Sequence, residues 1–222
     1  MGANFITGTG TDIGKTWLAC ALLRHWRAEG RQAAAFKPVL SGFDPQSPQA
    51  SDAGQLLAAL GREVNAAEID AIAPWRFAAP LSPDMAAALE GRRVDFDQLI
   101  EFTRGAVAAP QRPLLVEGVG GVMAPLDETH TVRDWIAASG LPCILVAGSY
   151  LGSLSHTLTA LEALAKVGAG VTAVVVNETS GSAVALDATL NALSRHAAGV
   201  PLVAISRASS RNVLTRLAEL LC

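Results

Sequence analysis

A glycine-rich segment that ends in lysine and threonine lies near the start of the chain. It reads Gly8-Thr9-Gly10-Thr11-Asp12-Ile13-Gly14-Lys15-Thr16 and stands between an apolar run and a segment of helical period. Glycine lets a backbone approach phosphate oxygens, and successive amides at a helix N-terminus supply positive potential. Lys15 would reach the outer phosphates and the Thr16 hydroxyl would bind Mg²⁺. The segment predicts a site for a nucleoside triphosphate and Mg²⁺.

The segment differs by one residue from the usual phosphate-loop pattern, which has its first glycine at the position of Thr9. A strand is predicted before the segment and a helix after it, as such a loop requires, so we keep the assignment. The predicted nucleotide contacts are those of Gly10, Thr11, Asp12, Ile13, Gly14, Lys15 and Thr16.

Lysine is scarce, since the chain has three lysines, Lys15, Lys37 and Lys166, beside 14 arginines. Lys37 ends an otherwise apolar predicted strand and would lie beside the phosphate loop. Such a lysine either extends its ammonium to solvent or meets an anion, and the scarcity of lysine favours the anion. Ser41 follows on a turn suited to hydrogen bonding with a substrate.

Two acidic residues are candidates for a metal site with Thr16. Glu117 follows the apolar residues 114–116, and Gly118 and Gly120 after it would let the backbone pass close to a ligand. Phosphate-loop enzymes hold Mg²⁺ with an acidic group at the end of a neighbouring strand. Asp52 opens a predicted helix, where a simple N-cap is an equally good interpretation.

Apolar runs alternate with segments of helical period, which is typical of a parallel sheet with helices on its faces. We predict strands at 4–7, 33–39, 114–116, 143–147, 171–176 and 202–205. Helices are predicted at 16–28, 52–60, 95–108, 132–139, 155–167, 183–196 and 212–221. The predicted fold is α/β, a doubly wound, mostly parallel, P-loop NTPase-like sheet with helices on both faces, in one domain over residues 1–222.

The residues that could take part in binding or catalysis all follow predicted strands. The phosphate loop follows the first strand, Lys37 the second, Glu117 the third and Asn177 the fifth. Ligands of open α/β sheets bind outside the carboxyl ends of the strands. These residues are therefore expected to meet at one edge of the sheet.

Composition narrows the classes of function. Half of the 222 residues are hydrophobic and the formal net charge is -3, which disfavours disorder and a nucleic-acid partner. No apolar run approaches the roughly 18 residues of a membrane span. The four histidines show no metal-ligand spacing. We expect a cytoplasmic protein with no membrane association.

The residues resemble the dethiobiotin synthetase family over nearly the whole chain. The matching stretches are residues 5–16 and 77–83, Phe36-Lys37-Pro38-Val39 with Ser41-Gly42, Ser51-Asp52-Ala53, Val116-Glu117-Gly118-x-Gly120-Gly121, Leu151-Gly152 and Asn177. The resemblance implies an ATP-dependent cyclo-ligase of biotin biosynthesis that closes the ureido ring of dethiobiotin. Its substrates would be 7,8-diaminopelargonic acid, CO₂ and ATP, and it would act through a carbamate and a carbamic–phosphoric anhydride.

The resemblance also implies roles for individual residues. Thr16, Asp52 and Glu117 would hold Mg²⁺, and Lys15 and Lys37 would be the catalytic cations. Lys37 and Ser41 would contact the substrate. Family members are homodimers, and the partner's segment at Leu151 and Gly152 would hold the substrate carboxylate. The implied nucleotide contacts beyond the phosphate loop are Asp52, Glu117, Gly118, Gly120 and Asn177, the last of which would read the adenine.

The chain departs from the family pattern at four places. Gly10 stands where an acidic residue is common, Asp12 where Glu is usual and Asp84 where His is typical, while Val203-Ala204-Ile205-Ser206 replaces Gly-x-Ile-Pro. The last departure leaves the choice among ATP, CTP and GTP open.

Other interpretations have less support. A partitioning-type P-loop ATPase switch is the closest alternative, but it has a further lysine at the position of Gly10. An amide-forming ligase would need a glutaminase domain, and a simple kinase would need a base or a lid.

Overall fold

A six-stranded parallel sheet forms the centre of the structure, a computed structural model that describes residues 2–197, 199–206 and 211–221. Its strands are β1 (Ala3–Gly8), β2 (Ala34–Phe36), β5 (Leu114–Glu117), β6 (Cys143–Gly148), β7 (Val171–Asn177) and β8 (Leu202–Ile205). They lie in the order β2-β5-β1-β6-β7-β8, and each neighbouring pair is parallel. The sheet extends in both directions from β1, so the phosphate loop lies near its middle.

Helices cover both faces of this sheet. They are α1 (Lys15–Ala28), α2 (Asp52–Leu60), α3 (Ala66–Ile72), α4 (Pro83–Leu89), α5 (Phe96–Ala108), α6 (Val132–Ser139), α7 (Ser153–Lys166), α8 (Leu186–His196) and α9 (Arg211–Leu220). Ile6 and Ile144 pack in one apolar cluster with α1, α2, α3 and α9. Phe5 and Leu145 pack in the other with α4 to α8, because successive side chains of a strand point to opposite faces. The predicted doubly wound α/β fold is confirmed.

A short second sheet corrects the prediction of one strand over residues 33–39. The chain leaves the main sheet at Lys37, whose amide donates to the Ile72 carbonyl at 2.9 Å, and Pro38 has no amide to donate. It then forms β3 (Val39–Ser41), which pairs in parallel with β4 (Trp75–Phe77). Lys37 thus lies in a break between two strands, where its side chain turns toward β5.

The predicted helices and the other strands agree with the structure to within three residues at each end. The sequence missed α3, α4 and β4, which lie between residues 66 and 89, and a 3-10 turn at Pro48–Ala50. Among the described residues, no helix is both long and apolar enough to cross a bilayer.

Candidate nucleotide and metal site

The phosphate loop connects β1 to α1 and is tied to the strand beside it. The Thr9 amide donates to the Val146 carbonyl of β6 at 2.9 Å. Asp12 and Gly14 have φ angles of 56° and 94°, which lie in the left-handed region that favours glycine. A Cβ at Gly14 would also collide with the side-chain amide of Asn177. The loop therefore needs glycine at residue 14 for both its backbone angle and its packing.

Lys15 lies over this loop and is almost fully buried, at 6% exposure. Its Nζ donates to the carbonyl of Gly10 at 2.7 Å. Burial and then the neighbouring Lys37 ammonium lower the pKa of Lys15 to about 8, because both disfavour a further positive charge. The lysine is held where an anion on the loop would complete its charge balance.

Thr16 in the first turn of α1 meets Glu117 at the end of β5. The Thr16 hydroxyl donates to Oε1 of Glu117 at 2.7 Å. Glu117 is 1% exposed, and its Oε2 is buried without a hydrogen-bond partner in the described part of the chain. A buried carboxylate oxygen with no donor is costly unless a cation meets it. Glu117 thus lies within hydrogen-bond distance of Thr16, and its role as a metal ligand stays a prediction.

Asp52 reaches the same place from the start of α2. The N-cap of this helix is Ser51, whose Oγ accepts from the Gly54 amide at 3.1 Å. The interpretation of Asp52 as a simple N-cap is therefore wrong. Burial by itself would raise the pKa of Asp52, but the charge of Lys37 and its hydrogen bond to the carboxylate outweigh burial and hold the pKa below its usual value.

Lys37 joins these carboxylates. Its Nζ lies 2.7 Å from Oε1 of Glu117, 3.0 Å from Oδ2 of Asp52 and 2.8 Å from the carbonyl oxygen of Gly118. Lys37 is 2% exposed. Burial favours the neutral amine, but the charges of Glu117 and Asp52 prevail and raise the pKa of Lys37. Lys37 is thus a buried, charged ammonium whose anionic neighbours are Glu117 and Asp52.

A cavity of about 700 Å³ opens in front of these groups, on the β5 and β2 side of the phosphate loop. Lys15, Lys37 and Asp52 line it together with Ser41 at the end of β3, and Oγ of Ser41 is buried with no partner among the described residues. The remaining lining residues are Thr11, Asp12, Leu40, Gly42, Ala50, Ser51, Pro80, Leu81, Ser82, Pro83, Val119, Gly120, Gly121 and Ala124. The two predicted cations share one cavity.

A second cavity, of about 560 Å³, lies on the β7 and β8 side of the loop. Asn177 and Trp17 line it with Asp12, Ile13, Gly14, Glu178, Thr179, Ser180, Ile205 and Ser206. The Asn177 side-chain amide donates to the Ile13 carbonyl at 2.7 Å and so ties β7 to the phosphate loop. Asn177 thus lies beside the loop, as predicted, and Trp17 is a lining residue that the sequence reasoning missed.

The metal hypothesis fits the donor atoms that meet here. Mg²⁺ prefers oxygen ligands and is commonly bound by one or two carboxylates plus substrate phosphates. Glu117, Asp52 and Thr16 offer two carboxylates and a hydroxyl, and Oε2 of Glu117 has no donor within the described residues. Within those residues no cluster of three or more His, Cys, Asp or Glu forms a metal centre by itself, so phosphate oxygens would complete the coordination.

Leu151 and Gly152 lie elsewhere. Both come after β6, where Gly152 is the N-cap of α7 with a φ of 97°, and Leu151 is 91% exposed. Neither lines the cavity of Lys37 in its own chain. Asp84 also lies outside that cavity and lines a different one with Asp127 and His130.

The site also contains residues that the sequence reasoning noted without predicting their place in the cavity. The segment from Pro80 to Pro83 forms a wall of the larger cavity. Gly121 packs against the phosphate loop, since a Cβ there would lie 3.2 Å from the backbone of Thr9. The prolines around residue 80 and the repeated glycines after Glu117 were the signals that could have indicated both.

Comparison with known proteins agrees with this geometry. A family model described as an AAA domain matches residues 3–220. The ATP-dependent dethiobiotin synthetase BioD of Acidiphilium cryptum (strain JF-5) is 52% identical over 198 residues, which are 89% of each chain. The protein of the same name from Phenylobacterium zucineum (strain HLK1) is 48% identical over 93% of this chain and 89% of its own.

Among solved structures, the cell division ATPase MinD of Pyrococcus furiosus is similar with a TM-score of 0.57, at 16% identity, over 100% of this chain and 98% of its own. At that identity the likeness concerns the fold, so it gives the partitioning-type alternative no separate support. The relatives of about 50% identity all match over most of their length. The chain belongs to the family of ATP-dependent dethiobiotin synthetases.

Proposed function

We propose that this chain, an ATP-dependent ligase like its family, closes the ureido ring of dethiobiotin from 7,8-diaminopelargonic acid, CO₂ and ATP. The observation that carries the proposal is the pair of buried ammonium groups on Lys15 and Lys37, which line one cavity beside Thr16, Asp52 and Glu117. Relatives at 52% and 48% identity that are named dethiobiotin synthetases support it.

The proposed reaction has three bond-forming steps. One amine of the substrate adds to CO₂ and loses a proton, which gives a carbamate. A carbamate oxygen then attacks the γ-phosphorus of ATP, the bond to ADP breaks, and a carbamic–phosphoric anhydride forms. The second amine attacks the carbonyl carbon of this anhydride, expels phosphate and loses its own proton, which closes the ring.

Lys15 and Lys37 serve the second step in this proposal. The carbamate and the γ-phosphate are both anions, so their approach needs cations that are already in place. Lys15 binds the outer phosphates from the loop, and Lys37, which contacts Glu117, lines the same cavity. Since both ammonium groups are buried, their charges are screened by water less than those of surface lysines.

Thr16, Asp52 and Glu117 bind Mg²⁺ in this proposal, with phosphate oxygens as further ligands. The metal, when bound, neutralises phosphate charge and orients the γ-phosphoryl group. Lys37 contacts both carboxylates at 2.7 and 3.0 Å, so it holds their oxygens turned toward the phosphate loop. Gly118 and Gly120 let the β5 loop pass close to the nucleotide, and Asn177, whose side-chain amide donates to the Ile13 carbonyl, lies at the base end of the site.

The substrate lies along the wall formed by Ser41. The Ser41 hydroxyl, whose oxygen is buried without a partner among the described residues, accepts a hydrogen bond from a substrate amine. The far carboxylate is held by Leu151 and Gly152 of a partner subunit, at the N-terminus of α7. The exposure of Leu151 at 91% and of Leu154 at 38% supports a homodimer that covers them.

A coupled assay tests the reaction. Phosphate release from ATP should depend on both 7,8-diaminopelargonic acid and bicarbonate. The carbamate that attacks the γ-phosphorus forms only when both are present. ATP turnover that is indifferent to the diamine would contradict the proposal and return the partitioning-type ATPase to consideration.

Light scattering tests the homodimer. The mass in solution should be twice the 22.9 kDa of one chain, and Leu151→Asp should shift it toward one chain. A wild-type protein of single-chain mass at assay concentration would remove the partner subunit from the substrate site.

A further inference from the structure

Trp17 is the most exposed of the four tryptophans of this chain. Its exposure is 51%, whereas Trp26 and Trp135 are fully buried. Trp75 is half-buried and packs edge-on against Phe102, with ring centroids 5.9 Å apart. A large aromatic surface left in water is unfavourable, and exposed tryptophan is enriched where a ligand or partner covers it. The exposure of Trp17 therefore needs a local explanation.

The position of Trp17 supplies that explanation. It follows Thr16 directly, in the first turn of α1, and lines the 560 Å³ cavity on the β7 and β8 side of the phosphate loop. The cations and carboxylates lie on the β5 side. If the triphosphate occupies the loop with its outer phosphate toward Lys37, the base end of the nucleotide points toward Trp17.

The polar residues on the opposite wall of this cavity already have partners within the protein, among them Glu178, Thr179, Ser180 and Ser206. The amide nitrogen of Asn177 is already bonded to the Ile13 carbonyl at 2.7 Å, and its oxygen is buried. Ile205 contributes an apolar surface at the end of β8. A base in this cavity meets an indole and an aliphatic side chain more readily than a set of matched donors and acceptors.

We propose that the Trp17 indole is the surface on which the base stacks, and that this face contact, more than edge recognition, determines which nucleotides bind. The inference rests on the nucleotide site of the proposed function and adds a prediction of which nucleotides that site binds. Every base has a π-face, so stacking tolerates different bases. The chain is expected to bind ATP, GTP and CTP with affinities within about tenfold of one another, since stacking strength varies little among bases.

Calorimetry with four probes tests the proposal: Mg²⁺ complexes of ATP, GTP, CTP and inorganic tripolyphosphate, without diamine. Loss of a stacked base costs about 1–3 kcal/mol, so Trp17→Ala should raise Kd for the three nucleotides about 5- to 140-fold. Tripolyphosphate has no base, so its Kd should stay within about twofold. Trp17→Phe keeps an aromatic face and should stay within about threefold of wild type for all probes.

Tryptophan fluorescence gives an independent measurement. Adding ATP should quench the emission of wild type and of the control Trp75→Phe, and the quench should vanish in Trp17→Phe. Equal weakening of tripolyphosphate and ATP in Trp17→Ala would show loop damage and overturn the proposal. So would an unchanged Kd for ATP, or a preference above about 100-fold for one base that persists in Trp17→Ala, because face contacts cannot produce it.

The outcome can be separated from that of the proposed function. These titrations contain no diamine, so they report on the nucleotide cavity even if the coupled assay gives no diamine-dependent phosphate release. Conversely, if phosphate release depends on the diamine but the Kd for ATP is unchanged in Trp17→Ala, the proposed function stands and this inference is wrong.

Discussion

The two cavities that flank the phosphate loop differ in how their polar groups are satisfied. On the β5 side, Lys37 makes three contacts of 3.0 Å or less, and Lys37 and Glu117 are each at most 2% exposed. On the β7 side, Trp17 is 51% exposed, and the Asn177 side-chain amide donates to the backbone carbonyl of Ile13 in the loop.

The difference corresponds to the two tasks of the proposed nucleotide site. Bond making and breaking at a phosphate needs charges that are fixed before the reaction and shielded from water. Binding a base needs a flat surface that is covered only when the ligand arrives. We therefore expect changes on the β5 side to affect turnover, and changes on the β7 side to affect nucleotide affinity.

Lys37→Ala is the strongest test of the charged side. Loss of one preorganised cation should lower kcat about 10²–10³-fold, while Kd for ATP stays within about threefold because the loop contacts remain. Steady-state kinetics and calorimetry measure the two quantities. Lys166→Ala is the matched control, since Lys166 is exposed on α7. An unchanged kcat in Lys37→Ala would remove Lys37 from the mechanism.

The same variant should change the response of stability to metal. Without Lys37, Glu117 and Asp52 are like charges in a buried site, which destabilises the fold. We expect thermal unfolding of Lys37→Ala to occur at a lower temperature than in wild type, and Mg²⁺ to restore part of the difference. Equal melting temperatures for both proteins, with and without Mg²⁺, would argue against the proposal that Glu117 and Asp52 bind both Lys37 and Mg²⁺.

Gly14→Ala should damage both sides at once, because residue 14 lies between them. The φ of 94° is strained for alanine, and the new Cβ meets the Asn177 amide. We expect Kd for ATP to rise about 100-fold, equivalent to about 2.7 kcal/mol. Calorimetry would measure it, and a Kd near the wild-type value would show that the loop tolerates rearrangement.

The pH dependence of binding sharpens the role of Lys15. Its pKa is about 8 in the protein, and a bound triphosphate raises it, so the complex holds a proton that the protein alone loses above pH 8. Affinity for ATP should therefore fall with rising pH, with Kd increasing about tenfold between pH 7 and pH 9. Lys15→Arg stays charged throughout and should lack this slope. A flat profile in wild type would contradict the lowered pKa.

Gly10→Ala should have the smallest effect. A Cβ at residue 10 meets nothing within 4 Å, in contrast to residue 14. Kd and kcat should each change less than about twofold, since the added methyl meets no atom of the described residues and the backbone carbonyl that accepts from Lys15 is retained. A large loss of affinity or turnover would show that the backbone conformation at residue 10 requires glycine, which would explain why the acidic residue common in the family is absent here.

The sheet and the phosphate loop could be predicted from the sequence, while the region between residues 61 and 94 could not. Long apolar strands and periodic helices carry local signals, but β4 has three residues and α3 and α4 have seven each. These short elements depend on distant contacts, such as the 3.0 Å bond from the Trp75 amide to the Pro38 carbonyl. Such contacts leave no periodic pattern.

The residues of the candidate site also differ in whether the sequence could indicate them. Motif spacing indicated Lys15, Thr16 and Glu117, and residue scarcity indicated Lys37. Only the folded chain shows that Asp52 pairs with Lys37, because that contact joins α2 to the break after β2. Trp17 was overlooked since an aromatic residue in a helical pattern usually lies in the core. The homodimer, the metal and the role of Leu151 stay predictions.

The contact of Lys37 with Glu117 and Asp52 has a consequence for how the protein is made. In a newly synthesised chain the Lys37 ammonium is the counterion of Glu117 and Asp52, so these carboxylates have a positive neighbour as soon as the sheet forms. Folding then need not wait for a metal from the cell. A cell short of magnesium would still accumulate folded protein, and under the proposed metal role only catalysis would respond to the supply.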